Sequence, residues 1–221
     1  MAAILAIVGC GPRLESALQA PGMAAPGVVA LAGPVPRSEL VMSAVDLLLR
    51  AAGLERASLG LVLATRGPGS FTGVRVALAT AGGLAAALGI PAVGVPSLLA
   101  QAARCAGERC LAVQPARRGQ VYAQTFRRLA DGWQAEDEPC VLPLSELAAA
   151  RDPVVAPAGL ELPPGARAAA ACTTTAEALL ALAPLVPTVG LDTLAPLYLE
   201  PPPAVPPTRT AKPWPPSPPA T

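Results

Sequence analysis

Leu61-Val62-Leu63-Ala64-Thr65-Arg66-Gly67-Pro68-Gly69-Ser70-Phe71-Thr72-Gly73-Val74-Arg75-Val76-Ala77-Leu78 is the stretch on which the fold of this chain turns. Its first four residues form an apolar run of the kind that makes a buried strand. Gly67-Pro68-Gly69 must turn, because proline fixes its own φ and glycine tolerates positive φ. Ser70 and Thr72 carry hydroxyls suited to cap a helix N-terminus. From Val74 onward Ala77, Leu78, Ala81, Ala85 and Leu88 recur at helical spacing. Strand, glycine turn and small-residue helix in this order can cradle a phosphate at the helix N-terminus, or can bring two backbones into close contact. No lysine follows the turn and the Walker spacing is absent, which favours close packing. Gly67, Gly69, Ser70 and Gly73 are therefore a candidate vestigial phosphate loop, with no catalytic residue among them: Ser70 has no histidine or adjacent lysine to activate it.

Composition narrows the field. A chain of 221 residues allows one large domain or two small ones. Hydrophobic residues make up 52% but aromatics only 3%, so the core must be built from Ala, Val and Leu. A net charge of +1 gives no global field for nucleic acid. Histidine is absent, which removes the commonest general base and metal ligand. The five cysteines, Cys10, Cys105, Cys110, Cys140 and Cys172, are odd in number and loosely spaced. They read as reduced cytosolic thiols, and Cys105 with Cys110 lacks the further ligands a metal needs. The uncharged run between Arg75 and Arg104 is punctuated by Gly82, Gly83, Gly89, Pro91, Gly94 and Pro96, so it reads as helix, strand and helix rather than a membrane span. Met1 to Val8 lacks a basic leader and reads as a first strand.

Taken in order, Ala3 to Val8, Leu14 to Ala20 and Val28 to Leu31 predict three antiparallel strands. Ser38 can cap a helix to about Ala52, closed by Gly53, with Asp46 and Arg50 placed to pair at i, i+4. That helix is apolar over most of its circumference, so it is a core helix or has one face for a sheet and another for a partner. After the strand–turn–helix unit come a strand from Pro91 to Val95 and a helix from Ser97 to about Ala106. A second run follows: Cys110 to Val113 as strand, Arg117-Arg118-Gly119 as turn, Val121 to Phe126 as its hairpin partner and Trp133 to Leu142 as a third strand. A short helix capped by Ser145, a strand from Val154 to Ala156 and a helix from Thr175 to about Leu182 complete it. The halves echo each other as βββαβα, an α/β plan of two lobes over residues 1–106 and 107–200. Ten of the residues in 201–221 are proline, which predicts an extended, disordered tail. Arg117 and Arg118, with Arg127 and Arg128 on the next strand, could form a local basic patch, although a solvated turn is the plainer reading.

A phosphoryl-transfer enzyme of a duplicated actin-like plan needs carboxylates at the ends of its first strands to hold Mg²⁺. Here the first strand ends in Ile7-Val8-Gly9-Cys10 and its counterpart in Val113-Gln114-Pro115, with no Asp or Glu at either place.

Arg66-Gly67-Pro68-Gly69-Ser70-Phe71-Thr72-Gly73-Val74-Arg75, Ile90-Pro91-Ala92-Val93-Gly94-Val95 and Ala116-Arg117-Arg118-Gly119-Gln120-Val121-Tyr122-Ala123 resemble the TsaB (YeaZ) family. Arg37-Ser38-Glu39 and Pro196-Leu197-Tyr198-Leu199-Glu200 fit as well, and the resemblance runs over about residues 3–203. It implies an actin/Hsp70/sugar-kinase (ASKHA) fold of two lobes. It further implies a cytoplasmic, non-catalytic scaffold of the bacterial machinery that makes threonylcarbamoyladenosine at position 37 of tRNA. In that machinery TsaD transfers the group, the ATPase TsaE joins, and tRNA meets the scaffold at most indirectly. No cofactor and no membrane are implied. The family's use of its first two helices against TsaD points to Leu40, Val41, Ala44, Val45 and Leu48 of one helix and Val74, Ala77, Leu78, Ala81 and Ala85 of the next as the partner face. The same face could close a homodimer when the chain is alone. The sequence departs from the family pattern where Val8-Gly9-Cys10 replaces Asp-Thr-Ser, where Pro115 replaces Asp, and where the usual His before Ser38-Glu39 is missing. The alternative is an ASKHA-fold enzyme, an ATP-dependent kinase or a peptidase, which these departures and the lack of histidine disfavour.

Overall fold

The computed structural model describes residues 2–185 and 194–200. The proline-rich stretch 201–221, expected to be a disordered tail, lies outside the described residues.

The first sheet is built from β1 (Ala3–Val8), β2 (Leu14–Gln19), β3 (Gly27–Leu31), β4 (Leu59–Thr65) and β5 (Ala92–Val95), in the order β3-β2-β1-β4-β5. Strands β1, β2 and β3 are antiparallel neighbours, while β4 and β5 run parallel to β1. The parallel part is covered on both faces, so β1 and β4 read as nearly continuous apolar runs. Helices α1 (Arg37–Ala51) and α2 (Phe71–Leu88) pack against each other and on this sheet. Val41, Val45, Leu48 and Leu49 of α1 join Val74, Ala77, Ala81 and Ala85 of α2 in one core with β1 and β4.

Several local expectations shift. Helix α1 starts at Arg37, with Pro36 as N-cap and no side-chain cap, so Ser38 lies inside the helix. Pro36 sits at φ −57° and ψ 137°, and its carbonyl accepts from the Glu39 N–H at 3.0 Å, so the chain enters the helix without a side-chain cap. Asp46 does not pair with Arg50; it takes a bidentate bond from Arg56, whose Nη2 lies 2.8 Å and 3.0 Å from its two oxygens. Helix α2 runs unbroken through Gly82-Gly83 and closes on Gly89 in the left-handed conformation at φ 67°. It is apolar and long enough to cross a membrane by length and composition, yet its buried face is seated on β1, β4 and β5.

The second sheet holds β6 (Arg109–Pro115), β7 (Gln120–Leu129), β8 (Gly132–Ala135), β9 (Cys140–Pro143) and β10 (Val154–Val155). The expected single strand from Trp133 to Leu142 is two: β8 pairs with the end of β7 and β9 with its beginning. The break falls at Glu136-Asp137, whose carboxylates are drawn aside to Arg109, Arg127 and Thr125. The helix expected from Ser145 is a 3-10 turn, Leu144–Ala149, with Pro143 as N-cap and no side-chain cap.

The order β10-β6-β7-β8 repeats β4-β1-β2-β3 in reduced form, with the same parallel and antiparallel relations. The helices cross over between the halves. Helix α3 (Ser97–Ala102), shorter than expected, follows the first sheet in sequence but packs on β6 and β7. Helix α4 (Thr175–Ala181) follows the second sheet but packs on β1 and β2 of the first. It starts in a capping box in which Thr174 and Glu177 bond each other's backbone amides.

Candidate functional site

The stretches that marked the sequence converge on one cleft between the sheets. Its walls are the β1–β2 loop (Cys10 to Pro12), Arg37 at the start of α1, the Pro68–Phe71 turn, Pro115 to Arg117 at the end of β6, and Tyr122 on β7. A strap, Leu197–Glu200, lies along it, and the volume enclosed is about 400 Å³. The chain has six aromatic side chains, and three of them, Phe71, Tyr122 and Tyr198, border this cleft.

The glycine turn is a tight backbone junction. Gly67, at φ 106° and joined to Pro68 by a cis peptide, donates its N–H to Ser97 Oγ at 3.1 Å, and its carbonyl accepts from Ser97 N–H at 2.8 Å. A side chain on Gly67 would run into the Leu197 carbonyl, and one on Gly69 into that of Cys10. Ser70 N–H donates to the Cys10 carbonyl at 2.8 Å, and Ser70 Oγ accepts from Gly73 N–H at 3.3 Å as the cap of α2. Gly73 and Gly9 face each other so closely that a Cβ on either would overlap the other's carbonyl oxygen. Each residue of the candidate phosphate loop thus has a packing or capping task.

Arg37 was missed as a site residue by sequence reasoning, although it opened one of the quoted motifs. Its guanidinium enters the β1–β2 loop and donates to the carbonyls of Gly9 at 2.8 Å and Gly11 at 2.7 Å. A cation therefore already sits beside the strand end where a metal-binding carboxylate is missing. Cys10, beside it, is fully buried; burial pushes its thiol pKa up, against hydrogen bonds with Ser97 and Thr65 that pull it down. A protonated, enclosed thiol is a poor nucleophile. At the other strand end Pro115 has no donor oxygen on its side chain, and among the described residues no three His, Cys, Asp or Glu side chains are grouped as a metal site requires. These residues do not fit a Mg²⁺–nucleotide.

The strap joins the halves. Leu197 N–H donates to the Arg66 carbonyl at 2.6 Å. The Tyr198 ring lies 5.5 Å from that of Phe71, and its hydroxyl accepts from Arg75 Nε at 2.9 Å. Tyr122 OH donates to Glu200 Oε2 at 3.2 Å; burial, then the Glu200 charge, raises the tyrosine pKa.

The other candidates are separated. Arg117 lines the cleft and Arg118 sits at φ 52° in the exposed turn. Arg127 and Arg128 lie at the far end of β7, where Arg127 pairs with Glu136 at 2.6 Å and Arg128 covers Trp133 at 4.8 Å, so no four-arginine patch forms. Of the ten side chains expected at a partner face, Val41, Ala44, Val45, Leu48, Val74, Ala77, Leu78, Ala81 and Ala85 are buried within the chain, and Leu40 is half-buried. They are the faces α1 and α2 turn to each other and to the sheet. The outward sides carry Ser43, Leu47 and Ala51 on α1 and Ala79, Gly83, Ala86 and Ala87 on α2.

Residues 36–188 match the family model described as TsaD: tRNA N6-adenosine threonylcarbamoyltransferase. The fold matches YeaZ from Pseudomonas aeruginosa with a TM-score of 0.73 and 27% identity, over 90% of this chain and 100% of that one. The chain belongs to the TsaB/YeaZ family. A second solved structure from that organism, titled as an uncharacterized protein with similarity to peptidase YEAZ, agrees with a TM-score of 0.74 at 26% identity over the same shares. The tRNA threonylcarbamoyladenosine biosynthesis protein TsaB of Escherichia coli is 32% identical over 114 residues, 49% of each chain. An uncharacterized Mycobacterium leprae protein is 46% identical over 76 residues, 34% of this chain and 21% of that one. The matched stretch thus spans about half the length or less of these curated relatives. As in the solved family members, the architecture is a mixed α/β body with two sheets.

Proposed function

We propose that the chain is a non-catalytic scaffold subunit of the machinery that makes threonylcarbamoyladenosine in tRNA. It pairs with a TsaD homologue, TsaE joins the assembly, and tRNA is met through the partner. Membership of the TsaB/YeaZ family and the role that the E. coli relative is named for support the pathway. The observation that carries the non-catalytic part is the cleft: Cys10 and Pro115 stand at the two strand ends with no side-chain carboxylate for a phosphate-bound metal, and the Arg37 guanidinium lies on the Gly9 and Gly11 carbonyls. Neither Ser70, whose hydroxyl caps α2, nor Cys10, whose thiol is enclosed, supports a peptidase.

The partner face is the outward side of α1 and α2: Leu47 is 57% exposed on α1, and on α2 the exposed Ala79, Gly83, Ala86 and Ala87 are small enough to let a second helix pair come close. A two-fold contact of the same face would close a homodimer in the absence of TsaD. The test is capture of a TsaD homologue by the tagged full chain. Leu47→Arg and Ala86→Arg, both at exposed positions, should leave the circular dichroism spectrum unchanged and abolish capture, because an unpaired charge buried at an interface costs several kcal/mol. Capture at wild-type affinity by both variants would refute this face, and Mg²⁺-dependent ATP turnover lost on substitution of Ser70 would refute the non-catalytic reading.

A further inference from the structure

We propose that the cleft between the sheets is a peptide-binding groove, filled here by the chain's own Leu197–Glu200, whose ligand class is a peptide with an aromatic residue followed two positions later by a carboxylate.

Each part of the strap is read by a different group on the body. The backbone is read at Leu197, whose N–H meets the Arg66 carbonyl at 2.6 Å and whose own carbonyl occupies the space a side chain at Gly67 would take. The ring of Tyr198 lies against Phe71, with the Arg75 guanidinium 3.8 Å from the Phe71 centroid and 5.9 Å from that of Tyr198. The carboxylate of Glu200 accepts from Tyr122 and, among the described residues, is the only acidic group lining a cleft that also presents Arg37 and Arg117. Leu199 between them packs toward the core formed by α3 and the second sheet. A backbone bond, an aromatic seat and a hydroxyl donor for a carboxylate are the parts from which a peptide groove is made. The occupant is weakly organised by itself: Pro196–Glu200 forms neither helix nor strand. A segment of this kind opens at much lower cost than the sheets it crosses. When it leaves, the groove offers the same three contacts to any peptide of the same chemistry.

The experiment uses the full chain and a fluorescein-labelled synthetic peptide, Leu-Ala-Pro-Leu-Tyr-Leu-Glu, which copies residues 194–200. Two variants weaken the resident strap: the double change Tyr198→Ala with Glu200→Gln, and the single change Glu200→Gln. Fluorescence anisotropy should give an affinity about tenfold or more higher for either variant than for the wild type, because the resident strap lowers the fraction of open groove. A peptide with the tyrosine and glutamate replaced should not bind, and adding Arg75→Ala to the double variant should remove binding of the original peptide. Amide exchange at residues 66–71 and 116–122 should speed up in the variants and slow again with peptide. Absence of saturable binding by both variants would overturn the proposal. So would faster exchange spread through β1 and β4, since the strap would then be part of the core and not a replaceable occupant.

Discussion

Gly73→Ala and Gly83→Ala, ten residues apart in the same helix, should change stability in opposite directions. Both positions are helical, and glycine in a helix interior costs about 1 kcal/mol relative to alanine. At Gly83 a Cβ would meet nothing within 4 Å, so the gain of roughly 0.5–1 kcal/mol is realised in full. At Gly73 a Cβ would stand 1.9 Å from the Gly9 carbonyl oxygen and 2.3 Å from an Arg37 guanidinium nitrogen. Relieving that overlap requires α2 to withdraw from the β1–β2 loop by more than an ångström. The withdrawal stretches the Ser70–Cys10 bond of 2.8 Å and the Arg37–Gly9 bond of 2.8 Å. Overpacking of this kind costs about 1–3 kcal/mol, and each compromised hydrogen bond about 1 kcal/mol more. Set against the helix gain, Gly73→Ala should destabilise by about 3 kcal/mol. For a chain of this size that lowers the melting midpoint by roughly 6–12 °C, whereas Gly83→Ala should raise it by roughly 1–4 °C. Urea titration followed by circular dichroism measures both. A Gly73→Ala protein as stable as the wild type would refute the reasoning that Gly9 and Gly73 are a backbone contact.

Val45→Arg and Ala81→Arg, each 0% exposed, should fail to fold, while Leu47→Arg two positions along from Val45 should keep the wild-type midpoint; thermal scans of the three separate core from surface on α1 and α2. Thr174→Ala removes the side-chain half of the capping box on α4, the bond from the Glu177 N–H to the threonine hydroxyl, and should cost about 1 kcal/mol, read by urea titration and by faster exchange of the Glu177 amide. Glu136 sits between Arg109 and Arg127, which hold its carboxyl below the ordinary range. Its contribution to stability is therefore present above the unfolded carboxyl value and is lost as pH falls through the lower folded one; NMR titration of Arg109→Ala should show its pKa moving back up.

The local order of this protein is written in its residues. An apolar run, a Gly-Pro-Gly turn, a hydroxyl cap and an alanine-rich repeat specify β4, the turn and α2, because strand burial, φ preferences and capping act over a few residues. The reduced repeat of the second half was legible for the same reason, as was the lack of a carboxylate at Cys10 and Pro115. What a linear reading confused were faces and distances. Val45 and Leu47 are both apolar residues of α1, and only the packing of α1 on α2 and the sheet decides that the first is core and the second exposed. Gly73 and Gly83 look alike in the chain, yet one meets a carbonyl and the other open space. The exchange of α3 and α4 between the sheets, the reach of Arg37 into a loop 28 and 26 residues away, and the passage of Tyr198 over Phe71 are long-range contacts. No local propensity encodes them, because each depends on which surfaces meet once both sheets have formed.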